Sequence, residues 1–398
     1  MSTLKVDAIR HNSATSDAIT TASDGTCTAK ITGMTGGSAL SHRNMIINGG
    51  MMISQKGTSA AITGGSNSYP LIDRYMAVAN SSMTYNVTIS QETDNPDGLS
   101  KSFKSLTTSA KTPSGSENYI IRTRLEEQDI RRVGFGTSAC KKSTLTFWVK
   151  SNKTGTYSVM IYLNGFSINL LTTYTISAQN TWEKKTISIP VYTTSYSHPS
   201  DNSAGLTFDW HLSSGPDDIV SPHSWQTSAT NARAATGQVN ILDAVNNYWQ
   251  ITNVQYEVGE VSTSFEYRSV GEELARCQRY FAIFPGRSGG IPFWQGYMGS
   301  SNGYCSIPVP NFNFRAVPTP TDATTGTSSS TGNIYDVYGN NHNSRYAGNG
   351  TVTLSCNGYA PSGIGLIMDF GAHTSSTKEG VVASWNGASP GIFLSCEL

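Results

Sequence analysis

Short runs of alternating side chains, closed off by turn-forming residues, constrain this chain more than any other feature. In STLTFWVKS, Leu145, Phe147 and Val149 fall on one side of a strand, and Thr146, Trp148 and Lys150 on the other. Successive Cβ atoms of a strand point to opposite faces, so such a run has one face to bury. TYSVMIYLNG repeats the pattern with Tyr157, Val159, Ile161 and Leu163. WEKKTISIP, GLTFDWHLSSG and YWQITNVQYEVG read as further strands, and Asn152 to Gly155, Asn164-Gly165 and Ser213 to Pro216 supply the breaks. Many short strands with almost no helical periodicity predict an all-β fold, with a jelly-roll-like β-sandwich over residues 43–268.

One segment breaks the pattern. In residues 269–281, SVGEELARCQRYF, Ser269 and Glu272 have capping-box spacing. Glu272 and Arg276 form an i,i+4 pair, and Val270, Leu274, Cys277 and Phe281 make one apolar stripe. A helix of about three turns is marginal alone, so this stripe is expected to pack at a domain joint or around a symmetry axis. A second β domain is expected over residues 282–398, from TVTLSC, IGLIMDF, GVVASW and GIFLSC, with TDATTGTSSSTGN as a loop. The chain stops within a strand-like run, which predicts a last strand held in a sheet. Residues 1–42 are too short and too poor in apolar residues to build a core. They read as a short extended anchor with a strand through Leu4, Val6 and Ala8 and a hairpin at Asp24-Gly25.

Composition narrows the function. Lys and Arg number 27, as do Asp and Glu, so the chain lacks the basic footprint of a nucleic-acid binder. Charged residues are 14%, against roughly 25% in soluble domains. The surface must therefore be built from Ser, Thr, Asn and Gly, as suits exposure outside cells. No apolar run approaches the roughly 18 residues of a membrane span, and the N-terminus has no apolar signal-peptide core; no membrane insertion is expected. The six cysteines are scattered, without C-x-x-C or neighbouring histidines, which predicts buried thiols and no zinc site.

Catalytic motifs are lacking: there is no H-E-x-x-H, G-x-S-x-G or P-loop. Glu126-Glu127-Gln128-Asp129 followed by Arg131-Arg132 reads as a solvated, self-neutralising surface segment, and Asp217-Asp218 as a turn. No catalytic residue, metal or cofactor is expected. The aromatics say more. Most should be core, but Trp210-His211, His223 with Trp225, Trp294 with Tyr297, and Tyr335, Tyr338 and Tyr346 around Asn341, His342 and Arg345 sit in polar contexts. A flat ring beside amide, imidazole and guanidinium donors suits a sugar: the ring takes the C–H face and the donors take the hydroxyls.

The run YWQITNVQYEVGEVSTSFEYRSVGEELARCQRYF (248–281) resembles a stretch common in bacteriophage tail-fibre proteins. There a W-x-I-T-x-V-Q-x-E-x-G strand closes a carbohydrate-binding-module-like jelly roll and leads into an E-E-L-x-x-C-Q-R-Y-F/Y helix. Trp249, Ile251, Val254, Gln255, Glu257, Gly259, Phe265, Glu266, Arg268, Glu272, Leu274, Cys277, Arg279 and Tyr280 carry the match. RNMIINGGMMISQKG and YPLIDRY look like the opening of the same module, and IPVPNFNFRAVPT like the start of its C-terminal domain. STLKVDAIRHNSATSDAITTASDGT is similar to virion-anchoring tips of marine cyanophage fibres.

The resemblance implies a homotrimeric fibre on the virion. Residues 1–42 would dock on tail proteins (adaptor, nozzle or baseplate), and the tip would meet a host-surface glycan or lipopolysaccharide. Two other readings stay open: an architectural virion component without host contact, and a glycan-degrading spike. The chain lacks the repeated strand-turn units of a β-helical spike and the heptads of a long fibre.

Overall fold

The structure is a computed structural model. It describes residues 8–10, 19–21, 23, 27–29, 42–63, 67–79, 83–195, 201–227, 233–285, 294–298, 302–308, 314–322, 329–336, 351–359, 362–372, 380–385 and 391–397. Side chains are described for these except residues 21 and 27–29 and, from 284 on, all but 314–320, 356 and 394–397. The chain divides into two compact units, one of residues 1–52, 58–71 and 75–267, the other of residues 53–57, 72–74 and 268–398.

In the first unit the alternation is realised as two six-stranded antiparallel sheets. One runs His223–Thr227, Ile168–Ile176, Gly155–Leu163, Ala204–Ser214, Asn118–Glu126, Met76–Ala79 in spatial order. The other runs Glu183–Ile189, Ser143–Ser151, Tyr248–Val258, Ser102–Ser109, Asn86–Glu92, Ser59–Thr63. Leu145, Phe147 and Val149 are fully buried, whereas Trp148 and Lys150 of the same strand are only half-buried. Between the sheets Phe147 meets Tyr174 (5.2 Å, 83°) and Trp210 (5.7 Å, 86°) edge-on, and Phe208 meets Tyr256 at 5.0 Å. Such pairs add about 0.5–1.5 kcal/mol each beyond the area they bury. The polar ends of the core aromatics are mostly answered. Trp249 Nε1 donates to Tyr174 Oη at 3.0 Å, while Tyr119 and Tyr256 share hydrogens with Ser105 and Ser143 at 2.8 and 2.9 Å.

The strand Tyr248–Val258 carries a bulge. Its register shifts between Thr252 and Gln255, and Asn253 there takes a left-handed φ of 50°. The segment after Arg43 is stitched along this strand: Met45 N–H donates to Tyr256 O and Val254 N–H to Gly49 O, both at 2.9 Å. Asn44 accepts from Ile46 and Tyr256 amides through Oδ1 and donates from Nδ2 to Val254 O. Gly49 is required by this close approach, because a Cβ there would lie 2.1 Å from Val254 O.

Ahead of the sandwich, Ala8–Ile9, Ile19–Thr21 and Cys27–Ala29 form a small antiparallel sheet. Thr21 pairs with Cys27, so the two strands form a hairpin, and the expected turn residues Asp24 and Gly25 lie outside the described residues. The expected strand positions Leu4 and Val6 lie outside the described residues. One surface expectation is corrected: Glu126 and Glu127 are buried and open the short helix Glu127–Ile130, while Asp129, Arg131 and Arg132 are exposed. Glu126 ends a strand of the sandwich, so it follows that strand into the interior instead of neutralising the arginines outside.

In the second unit the predicted helix spans Val270–Gln278, with Ser269 Oγ accepting from Glu272 N–H at 3.2 Å and Arg276 bonded to Glu272 at 3.1 Å. Its stripe is split: Cys277 and Phe281 are buried, Leu274 is half-buried and Val270 is 54% exposed. Phe281 is not on the helix but starts the strand Phe281–Pro285, beside Gly391–Ser395 and then Thr319–Asp322. Against this sheet sits a buried polar cluster. Arg74, 1% exposed, pairs with Glu397 at 2.5 Å and lays its guanidinium 3.5 Å from the Tyr280 ring centre. Asp73 accepts from Gln55, and burial pushes its carboxyl up to about 6 despite that bond.

The remaining strands close a six-stranded barrel in the order Trp294–Met298, Asn302–Pro308, Ser362–Ala372, Thr351–Tyr359, Ser329–Asp336, Gly380–Trp385. Part of TDATTGTSSSTGN is therefore strand and not loop, since Ser329 to Thr331 pair with Thr351–Tyr359 and Gly332 and Asn333 pair with Gly380–Trp385. Gly, Asp and Asn are depleted in strands and mask the β-branched threonines of this stretch, and the pairing supplies what the local pattern lacks.

Candidate functional site

The residues expected to hold a sugar are dispersed. Trp210 and His211 are fully buried. Trp210 belongs to the core against Phe147 and Phe208 and presents no ring face to a ligand. Burial pushes the His211 imidazole down to about 4, with Arg122 and Arg233 adding to the fall and Asp209 opposing it. Trp225 is half-buried, edge-on to Phe135 and Tyr192, with Nε1 donating to Pro190 O at 2.9 Å. Trp294, Tyr297 and Tyr335 lie on barrel strands whose side chains are not described. Tyr338, Asn341, His342, Arg345 and Tyr346 lie outside the described residues. In the turn, Asp218 is buried and accepts from Asn118 Nδ2 at 2.7 Å. Among the described residues no group of three His, Cys, Asp or Glu could hold a metal.

A groove of about 360 Å³ instead opens on the outer face of the sheet that begins at His223–Thr227. Its floor consists of two lateral rows fixed by register. In one, Arg122 lies opposite Asp209, and Asp209 opposite Met160. In the next, Arg124 lies opposite Thr207, Thr207 opposite Tyr162, and Tyr162 opposite Asn169. The same strands that send Phe208 and Trp210 inward send Thr207 and Asp209 outward, so the core and the groove are two faces of one pattern. Asn164 and Ser167, on the turn after Leu163, and Arg233, ahead of the short strand Ala234–Ala235, complete the lining.

The floor is rigid. Arg122 grips Asp209 side-on, Nε to Oδ1 and Nη2 to Oδ2, both at 2.6 Å. Asp209 is fully buried, so this pair contributes orientation more than stability. Thr207 Oγ1 donates to Asn164 Oδ1 at 2.8 Å, and Asn169 Nδ2 reaches Met160 Sδ, a weak acceptor, at 3.4 Å. Met160 packs with Leu171 and Ala235 in a small cluster, with Tyr162 beside it. The accessible groups of the lining are thus the Tyr162 ring, the Asn164 amide, the Ser167 hydroxyl and the guanidinium groups, over a floor in which Met160, Thr207, Asn169 and Asp209 are buried. Among the described residues of the lining the one carboxylate, that of Asp209, is held by Arg122.

None of these lining positions was singled out from the sequence. The signal was present: in NYIIRTRLE and GLTFDWHLSS, Arg122, Arg124, Thr207 and Asp209 are polar positions alternating with core residues. That alternation marks an outward face, but it does not say which outward face is concave.

No protein-family model and no curated protein sequence matches this chain. Solved structures give partial matches. The enzymatically active domain of Bacteriophage CBA120 tailspike protein 4 matches with a TM-score of 0.30 and 14% identity, over 54% of this chain and 21% of that one. A family 11 carbohydrate-binding module from Clostridium thermocellum matches with a TM-score of 0.25 and 11% identity, over 52% and 98%. The N-terminal cellulose-binding domain of Cellulomonas fimi β-1,4-glucanase C matches with a TM-score of 0.26 and 8% identity, over 44% and 85%.

Proposed function

We propose that this chain is a non-catalytic phage tail-fibre protein. It holds to tail proteins through residues 1–42 and recognises a host-surface glycan, with the groove of the sandwich as a binding site. The observation that carries the reading is the groove: Tyr162 offers a ring for the C–H face of a sugar and Asn164 and Ser167 offer partners for its hydroxyls, over a hydrogen-bonded floor in which Met160, Thr207, Asn169 and Asp209 are buried. The tail-fibre assignment rests on the resemblance over residues 248–281. In the same reading, the aromatic and polar residues expected in 282–398 belong to the fibre tip.

The test is glycan binding by the full chain, first on an array of envelope saccharides and then by calorimetry with the best binder. Tyr162→Ala should weaken binding about tenfold or more, because a stacking face is lost while a half-buried side chain leaves the core intact. Binding that survives Tyr162→Ala combined with Asn164→Ala unchanged would remove the groove from the function.

A further inference from the structure

We infer that residues 233–239 form an acid-released strap, which opens from the sandwich when the imidazole of His211 beneath it takes up a proton. This device belongs to the fold itself and does not depend on what the groove binds.

His211 lies two residues beyond Asp209 on the strand Ala204–Ser214, so both belong to the outer face of the sheet. An outward side chain that is fully buried has a cover, and the hydrogen bonds identify it. Ser158 stands directly opposite His211. Ala235 N–H donates to Ser158 Oγ at 2.8 Å, and Ser158 N–H donates to Gln238 Oε1 at 2.7 Å. Gln238 Nε2 in turn donates to the His211 carbonyl at 2.9 Å, and Val239 N–H to Thr156 O at 2.9 Å. The segment also pairs over two residues with Ile219–Val220, and Ala235 packs on Met160 and Leu171.

The imidazole is placed where a positive charge is poorly met. Its Nδ1 lies 3.4 Å from Ser214 Oγ, and its Nε2 is buried with no hydrogen-bond partner. A neutral ring leaves one weak polar site unanswered, whereas a cation would bury a charged N–H without an acceptor, at a much larger cost. The charged groups that bear on the ring are Asp209 on its own strand, Arg122 on Asn118–Glu126 and Arg233 on the strap. Gly155–Leu163 contributes Ser158, which carries no charge. Asp209, the anion of this set, is gripped side-on by Arg122.

Burial accordingly keeps the ring neutral down to about 4, while an imidazole in water protonates near 6.5. Between those values the open form binds the extra proton, so opening becomes easier as pH falls. Asp218, whose carbonyl accepts from Arg233 N–H, acts in the opposite sense: burial raises its carboxyl, and its proton favours the closed form. Arg233 is part of the groove lining, so an open strap takes that wall of the groove away.

Hydrogen exchange of the full chain, read by mass spectrometry and corrected for the intrinsic pH dependence of amide exchange, tests the strap. Peptides covering residues 233–239 are compared with peptides from the core strand Ser143–Ser151. Each pH unit below about 6.5 multiplies the open population by about ten, so strap protection should fall about 25-fold from about pH 7.5 to about pH 5. The core strand should keep its protection over the same range. His211→Gln, which takes up no proton, should abolish the fall in the strap.

A parallel loss of protection in strap and core would mean that His211 titrates in the globally unfolded chain, and the inference is overturned. Strap protection that stays constant across the range overturns it as well, as does a fall that persists in His211→Gln. If that variant does not fold, the comparison of strap with core in the parent chain still decides.

Discussion

At the scale of single residues, two buried titratable groups give the two units pH responses of opposite sign. His211 stays neutral in the folded chain down to about 4, while in the unfolded chain it protonates near 6.5. Between those values the unfolded state binds the extra proton, so stability is lost as pH falls from about 6.5 to about 4. The full loss is about 3 kcal/mol at roughly 1.4 kcal/mol per pH unit. His211→Asn should flatten that slope in urea unfolding followed through the sandwich tryptophans; an unchanged slope would place the acid sensitivity elsewhere. Asp73 runs the other way. Its folded carboxyl sits at about 6, above its unfolded value, so its contribution is full below about 4 and is lost as pH rises through 6. Gly49 tests sterics. The Cβ of Gly49→Ala would collide with Val254 O, and a destabilisation of at least about 2 kcal/mol is expected, as for an overpacked core.

At the scale of elements, the clearest case is the helix Val270–Gln278. Its start is set locally by the Ser269 cap, and Ser269→Ala should cost about 1 kcal/mol in the chemical unfolding of the full chain. Glu272→Gln, which removes an exposed i,i+4 pair, should cost only about 0.3–0.5 kcal/mol. If the second change outweighs the first, the helix depends on its surface charges rather than its cap. The helix start was legible because capping is local chemistry. The split of the apolar stripe was not: Val270 has the right spacing, but only the packed unit decides that Cys277 has a neighbour and Val270 has water. The bulge at Asn253 was hidden for a related reason, since ITNVQ reads as an uninterrupted strand and the extra residue shows only against a partner strand.

At the scale of the whole molecule, the proposed fibre predicts assembly. Light scattering on the purified chain should give a mass three times the 42.7 kDa of one chain, and a trimer would multiply weak individual sugar contacts by avidity. A monomeric mass at micromolar concentration would leave a single groove per particle and remove the fibre, though not the groove. Variants that lose saccharide binding should keep the parental mass, because the lining belongs to the sandwich unit alone.

The amino-acid sequence by itself determined the β architecture, the helix Val270–Gln278 with its cap, and the lack of a catalytic motif. Each follows from periodicity or from contacts within a few residues, which any sequence displays. The tertiary structure alone decided which rings are core and which polar side chains gather in a groove. Trp210 and Asp209 are adjacent in the chain and differ in fate because successive residues of a strand face opposite ways. The concavity that joins Asp209 to Arg122, 87 positions away, comes from strand order, and strand order is set by pairings that no local pattern encodes.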